Sequence, residues 1–240
     1  MSDNRNIEWR RLLLDGAAIV VSILLAFSID AWWDDHNERV EERRILDALK
    51  LEFQSNAEAI PAFILRHQQS ASHAQALLEA LKAIKPDGVL QYPAARVGQA
   101  LGHNSTDPQS GALDAILQSG ELRYISNPAI RERLSAWPQL VVDATENEYM
   151  LRHIWDPKLL EALAKDVDLT VLDNVNETCW DDPMSQQCEV PKISLPRNTL
   201  VMAYLSTTAG WALEAARELG LLVEEANSIV ELIESEIAEN

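Results

Sequence analysis

The chain has 240 residues, 38 acidic against 20 basic side chains, a formal net charge of −18 and 47% hydrophobic residues. That length is enough for one sizeable core, and the anionic balance argues against nucleic acid or other polyanions as partners, since like-charged surfaces repel. No GxSxG, HExxH, P-loop or GxGxxG pattern occurs, and the histidines His36, His67, His73, His103 and His153 are scattered without metal-ligand spacing. The sequence therefore reads as non-enzymatic, with no cofactor and no metal.

Residues Leu12 to Trp33 read LLLDGAAIVVSILLAFSIDAWW, about 22 residues, enough to cross a hydrocarbon core of roughly 30 Å as a helix. Arg5, Arg10 and Arg11 flank its N-terminal side, whereas Trp32, Trp33, Asp34 and Asp35 open the other. A basic flank stays in the cytoplasm. The expected organisation is a cytoplasmic tail at 1–11, a transmembrane helix at 12–33 and an extracytoplasmic α-helical domain at 34–240. The chain is then a single-pass protein of a bacterial inner membrane, in contact with lipid, with its main domain in the periplasm. A cleaved signal peptide is the rival reading, because Ala26 and Ser28 have the spacing a signal peptidase accepts. Asp15 within the apolar run and the tryptophan pair at its end favour a retained anchor with Met1 in place.

At 100° per residue Asp15, Ala18, Ser22, Ala26 and Asp30 fall on one stripe that ends at Trp33. Ala18, Ser22 and Ala26 form a small-xxx-small series of the kind that lets helices approach closely, leaving Ile19, Val20, Leu24, Leu25 and Phe27 for lipid. The stripe is expected to be an association surface. The alternatives are two interfacial aspartates without a role, or an ion path.

Beyond Trp33 the remaining chain carries 17 basic and 34 acidic residues, net −17. Leu46, Leu49, Phe53, Ala57, Ile60 and Ile64, continued by His67, Ala71, Ala74, Leu78 and Leu81, form one amphipathic face. No turn signal separates Trp33 from Asp34, so the membrane helix is expected to run on to about Ile84, with a kink or break near Ile60 at Pro61. Lys85-Pro86-Asp87-Gly88 supplies the turn. His103, Asn104, Ser105, Thr106 and Asp107 make the most polar loop, read as a capped approach to a helix rather than a ligand site.

Gly111 to Ser119 reads as a short helix ended by Gly120. Asn127-Pro128 caps the next, whose stripe is Ile130, Leu134, Trp137, Val141, Ala144, Leu151 and Trp155, with Glu148 the odd polar member. Asp156-Pro157 restarts a short helix to about Lys165. Cys179 and Cys188 are the only cysteines; in an oxidising compartment this pair, set among turn formers, is expected to be a disulfide closing a small loop. After Pro196 a helix of about 40 residues carries Leu200, Tyr204, Thr207, Trp211, Ala215, Leu219, Leu222, Ala226, Ile229, Ile233 and Ile237 at helical spacing, with Gly220 its weak point. No alternating strand run is evident, so the expected class is all-α: an N-terminal transmembrane helix continuing into a long helix, and a helical bundle outside.

Two stretches carry a resemblance. One is LDALKLEFQSN at Leu46 to Asn56; the other is TDPQSGALDAILQSGELRYISNPAIRERL at Thr106 to Leu134. With the anchor ending at Ala26 to Trp32 and the Ser-Gly-x-Leu-x-x-Ile element from Ser119 toward Arg131, the chain resembles an uncharacterised family of bacterial single-pass membrane proteins. The resemblance implies architecture and no activity. Two function classes follow from the whole reading: a non-catalytic structural, scaffold or accessory subunit, a homo-oligomer or part of a larger membrane complex; and an extracytoplasmic ligand-sensing bundle that signals through a partner.

Overall fold

The computed structural model describes residues 5–102, 105–172 and 191–239. Its dominant element, α1, is a single helix from Arg5 to Ala83, about 120 Å long at 1.5 Å per residue. The apolar span and the first domain helix are thus one rod. Pro61 lies inside it without ending it, so of the kink or break expected there the break does not occur. Proline deletes one backbone bond and crowds the preceding turn. Here Ile60 is buried and Phe63 and Ile64 pack against the same core, so packing on both sides of the proline holds the two halves in one helix.

The middle of the chain is short pieces: α2 at Ala94–Ala100, α3 at Gly111–Ser119, α4 at Pro128–Met150 and α5 at Asp156–Ala164. Gly120 ends α3 in the left-handed region at φ 74°, a conformation that costs glycine nothing. Asn127 caps α4 as its sequence predicts, accepting from the amides of Ala129 and Ile130 at 2.9 and 3.4 Å. A π-helical turn at Leu151–Trp155 joins α4 to α5, where the sequence suggests an unbroken α-helical stripe out to Trp155.

The final helix, α6, spans Thr199–Glu239 and lies antiparallel to α1. At one end Arg43 Nη1 donates to the Ile237 carbonyl at 3.0 Å and Lys50 pairs with Glu234 at 2.7 Å. At the other, Arg197 Nη1 donates to the Ile84 carbonyl at 2.9 Å.

The fold is mostly helical, as the all-α expectation has it, with one short two-stranded ribbon that the sequence does not announce. β1 at Val89–Pro93 pairs antiparallel with β2 at Lys192–Pro196, Gln91 opposite Ser194. Each is five residues long, and β2 buries only Ile193 and Leu195 while Lys192 and Ser194 face outward. A ribbon this short is marginal alone; it persists because its inner face lies on the core. The fold is otherwise helical throughout the described residues. Cys179 and Cys188, with the loop they are expected to close, lie outside the described residues.

The apolar interior is divided in two. The core nearer the span is built on Ile45, Leu49, Phe53 and Ile60 of α1, Ile130, Leu134 and Trp137 of α4, and Leu219 to Ile233 of α6. Phe53 and Trp137 meet edge to face at 4.7 Å, a geometry favoured by the ring quadrupoles. The farther core gathers Ala71 to Leu81, α2, α5, the ribbon and Val201 to Ala212. In this second half the buried face of α6 differs from the one the periodicity suggests. Val201, Leu205, Thr208 and Ala212 are buried, whereas Leu200 is 43% exposed. The π-turn and α5 also press on α6 at this end, so the face between them and α1 is the one that closes.

Candidate functional site

The apolar segment of α1 is uncovered. Leu12 to Val40 lies exposed along its whole length, and the most apolar eighteen-residue window of the helix, of mean hydropathy 2.4, has none of its residues buried. By length and composition this helix can cross a membrane. Asp15, Ala18, Ser22, Ala26 and Asp30 all sit on this single helix and touch no other element; Ser22 Oγ donates back to the Ala18 carbonyl at 2.8 Å, which satisfies the hydroxyl without a partner helix. Ile19, Val20, Leu24, Leu25 and Phe27 are equally exposed.

Past Trp33 the stalk continues bare to Val40 before the bundle begins at Glu41 and Glu42. His36 stacks on Trp32 at 5.8 Å between ring centroids, and Arg39 pairs with Asp35 at 2.9 Å. Exposed pairs of this kind contribute little singly.

Within the bundle, α1 uses a polar edge beside its apolar stripe to hold the segment from Ala100 to Ser126. Glu42 accepts from the amide and hydroxyl of Ser126 at 2.5 and 2.8 Å. Glu52 accepts from the amides of Ala112 and Leu113 at 2.6 and 3.1 Å, capping α3 from outside. Asn56 and the Gln109 backbone exchange two bonds of 2.8 and 2.7 Å. Ser70 donates to the Ala100 carbonyl at 3.4 Å. With His67 these residues fall within about 80° of arc on α1. Apart from His67, which continues the apolar stripe, this edge shows in the sequence only as polar residues recurring at helical spacing beside that stripe. The two motif stretches at Leu46–Asn56 and Thr106–Leu134 are therefore brought onto one another.

The most enclosed polar cluster lies between the two cores. His67 Nε2 meets Glu148 Oε1 at 2.7 Å, with both side chains almost wholly buried. Thr106 donates its amide to Glu148 Oε2 and its hydroxyl to Oε1, both at 2.8 Å. Asn147, next to Glu148, donates to Glu218 of α6. His67 Nδ1 and Thr208 Oγ1 are buried with no hydrogen-bond partner among the described residues. Burial of a charged or polar group is tolerated where it is paired, so Glu148 is the acceptor that holds this layer together. Thr106 was expected in a helix cap and instead fastens its loop to α4. His103 and Asn104 of that loop lie outside the described residues.

Around the far core, Trp155 stacks on Trp211 and lies tilted beside Tyr204, each at 6.5 Å between ring centroids, and Lys158 lies 4.9 Å above the Trp155 ring. His73, half-buried, accepts from Arg96 Nη1 at 3.2 Å on Nδ1 when neutral; burial, and then the Arg96 charge, hold its pKa below the ordinary histidine value. No three His, Cys, Asp or Glu side chains come together as a metal site among the described residues. No protein-family model, curated protein or solved structure matches the chain.

Proposed function

We propose that this chain is a non-catalytic single-pass membrane protein, a scaffold or accessory subunit, oriented with its N-terminus in the cytoplasm and its helical domain outside. The observation that carries the reading is the uncovered apolar length of α1, continuous with a helix that forms the wall of both cores. A soluble bundle gains nothing from an exposed, largely apolar stretch of 22 residues, and a bilayer satisfies it. The small-residue stripe from Asp15 to Asp30 supports self-association or pairing with another membrane subunit, because in lipid close packing must supply the attraction.

The test is the native mass of the detergent-solubilised full chain together with a C-terminal topology reporter. The expected result is an assembly that Ser22→Leu disperses and Leu24→Ala, on the opposite face, preserves. A C-terminal reporter active only in the cytoplasm overturns the orientation, and an unchanged mass for Ser22→Leu overturns the interface. The sensing alternative draws on one feature, the helical continuity of α1 from span to far core, along which a tilt or rotation would pass. It requires a partner to carry the signal.

A further inference from the structure

A cleft of about 490 Å³ opens at the end of the bundle nearest the apolar span, between α1 and the 3₁₀ turn Glu121–Tyr124. The turn is held there by the Glu42–Ser126 bonds. One wall, on α1, presents Asp35 and Glu38; the other presents Arg123 and Tyr124. Taking Trp33 as the aromatic residue at the hydrocarbon boundary, the helical rise puts Asp35 about 3 Å and Glu38 about 8 Å beyond it. The headgroup layer on each side of a bilayer is about 5–8 Å thick. The cleft therefore opens at headgroup depth.

Its charges are opposed and held apart. Arg123 donates to Tyr124 Oη at 2.9 Å and lies over that ring at 4.7 Å, which leaves most of its N–H groups to the cleft. Among the described residues Glu38 makes no hydrogen bond or ion pair, yet it stands near enough to Arg123 to help stabilise the guanidinium, behind Tyr124 and Glu121. Arg39 is already taken by Asp35. An unpaired carboxylate faces a cation across a gap, with α1 fixing one and the turn the other.

We propose that this cleft binds the headgroup of a zwitterionic phospholipid bearing a primary ammonium, with the phosphate on Arg123 and the ammonium on Glu38. The inference rests on the membrane reading of Leu12–Trp33. An anionic headgroup satisfies Arg123 but brings its charge against Asp35, Glu38 and Glu42. A quaternary ammonium headgroup has the right charges and no N–H to give Glu38. Phosphatidylethanolamine meets both walls.

The experiment reconstitutes the full chain in nanodiscs containing phosphatidylethanolamine, phosphatidylcholine and phosphatidylglycerol in equal amounts and counts the lipids retained on the protein by native mass spectrometry. The Glu38–ammonium contact, the one that separates the three headgroups, corresponds to up to about a fivefold enrichment of phosphatidylethanolamine over either competitor. Glu38→Gln should abolish that preference and Arg123→Gln should lower retention of all three lipids, whose phosphate is common, while Glu58→Gln, exposed on α1 away from the cleft, changes neither. Unchanged circular dichroism shows that the variants remain folded. Displacement of the retained lipid by free phosphoethanolamine assigns recognition to the headgroup alone; failure to displace it shows that the lipid must be presented by the bilayer, and the preference stands in both cases. Equal retention of the three lipids, a preference for phosphatidylglycerol, or indifference to both cleft variants overturns the proposal and leaves the membrane reading intact. A chain that does not enter the bilayer overturns both.

Discussion

Replacing Glu148 by Ala removes the acceptor shared by His67 Nε2, the Thr106 amide and the Thr106 hydroxyl. The hydroxyl can turn to another acceptor, but the ring and the amide cannot, and both lie in a layer closed above and below by apolar cores. Each stranded buried donor costs about 1–3 kcal/mol, and breaking a buried pair by deleting one partner costs about 3–5 kcal/mol, so the two routes agree on a loss of about 3–5 kcal/mol. For a domain of this size 1 kcal/mol moves Tm by about 2–4 °C, which sets the expected fall at about 6–20 °C. The assay is thermal unfolding of the full chain in detergent, followed by circular dichroism and by tryptophan fluorescence from Trp137, Trp155 and Trp211. The triple change His67→Leu, Thr106→Val, Glu148→Met should recover much of that loss, since apolar replacement of a whole buried polar group is often neutral. A fall of under about 3 °C for Glu148→Ala refutes the reasoning: the layer would then be open to water, and the two cores joined by something other than this carboxylate.

Four further outcomes are expected. Phe53→Ala should cost about 3–5 kcal/mol in urea unfolding, because the ring is fully buried against Trp137, whereas Leu51→Ala, at a residue 69% exposed, should stay within about 0.5 kcal/mol of wild type. Gly220→Ala should stabilise by about 1 kcal/mol, because a Cβ there meets nothing within 4 Å; a lower midpoint contradicts this. His73 has a folded pKa below its unfolded one, so the unfolded chain binds the extra proton as pH falls through the unfolded value near 6.5; stability from this group is present above that range and lost on acidification. The slope of Tm against pH below 7 should accordingly flatten in His73→Gln, and an identical slope removes His73 from the account. Alkylation without reductant should label neither Cys179 nor Cys188, and labelling of both excludes the disulfide.

Local chemistry was enough to read most of the helices. The apolar stretch from Leu12 to Trp33, the Asn127-Pro128 cap, the Gly120 stop and the stripes through Phe53, Trp137 and Leu219 each depend on neighbours within a few residues, so periodicity and capping exposed them. Four features needed the third dimension. The ribbon joins Val89–Pro93 to Lys192–Pro196 across about a hundred residues, and neither strand is long enough to announce itself. Pro61 ends a helix in isolation but not where Ile60 and Ile64 are pinned by packing. The inner face of α6 turns from Leu200 toward Val201 and Leu205 because the π-turn and α5 also pack against it. Glu148 looked like an irregular member of an apolar stripe, and His67 like a stray histidine within another; their meaning is each other and Thr106, three residues from three segments. A polar residue on a core face has no local signature that tells a defect from a partner, because its free energy is set by whether folding delivers the other half of the hydrogen bond.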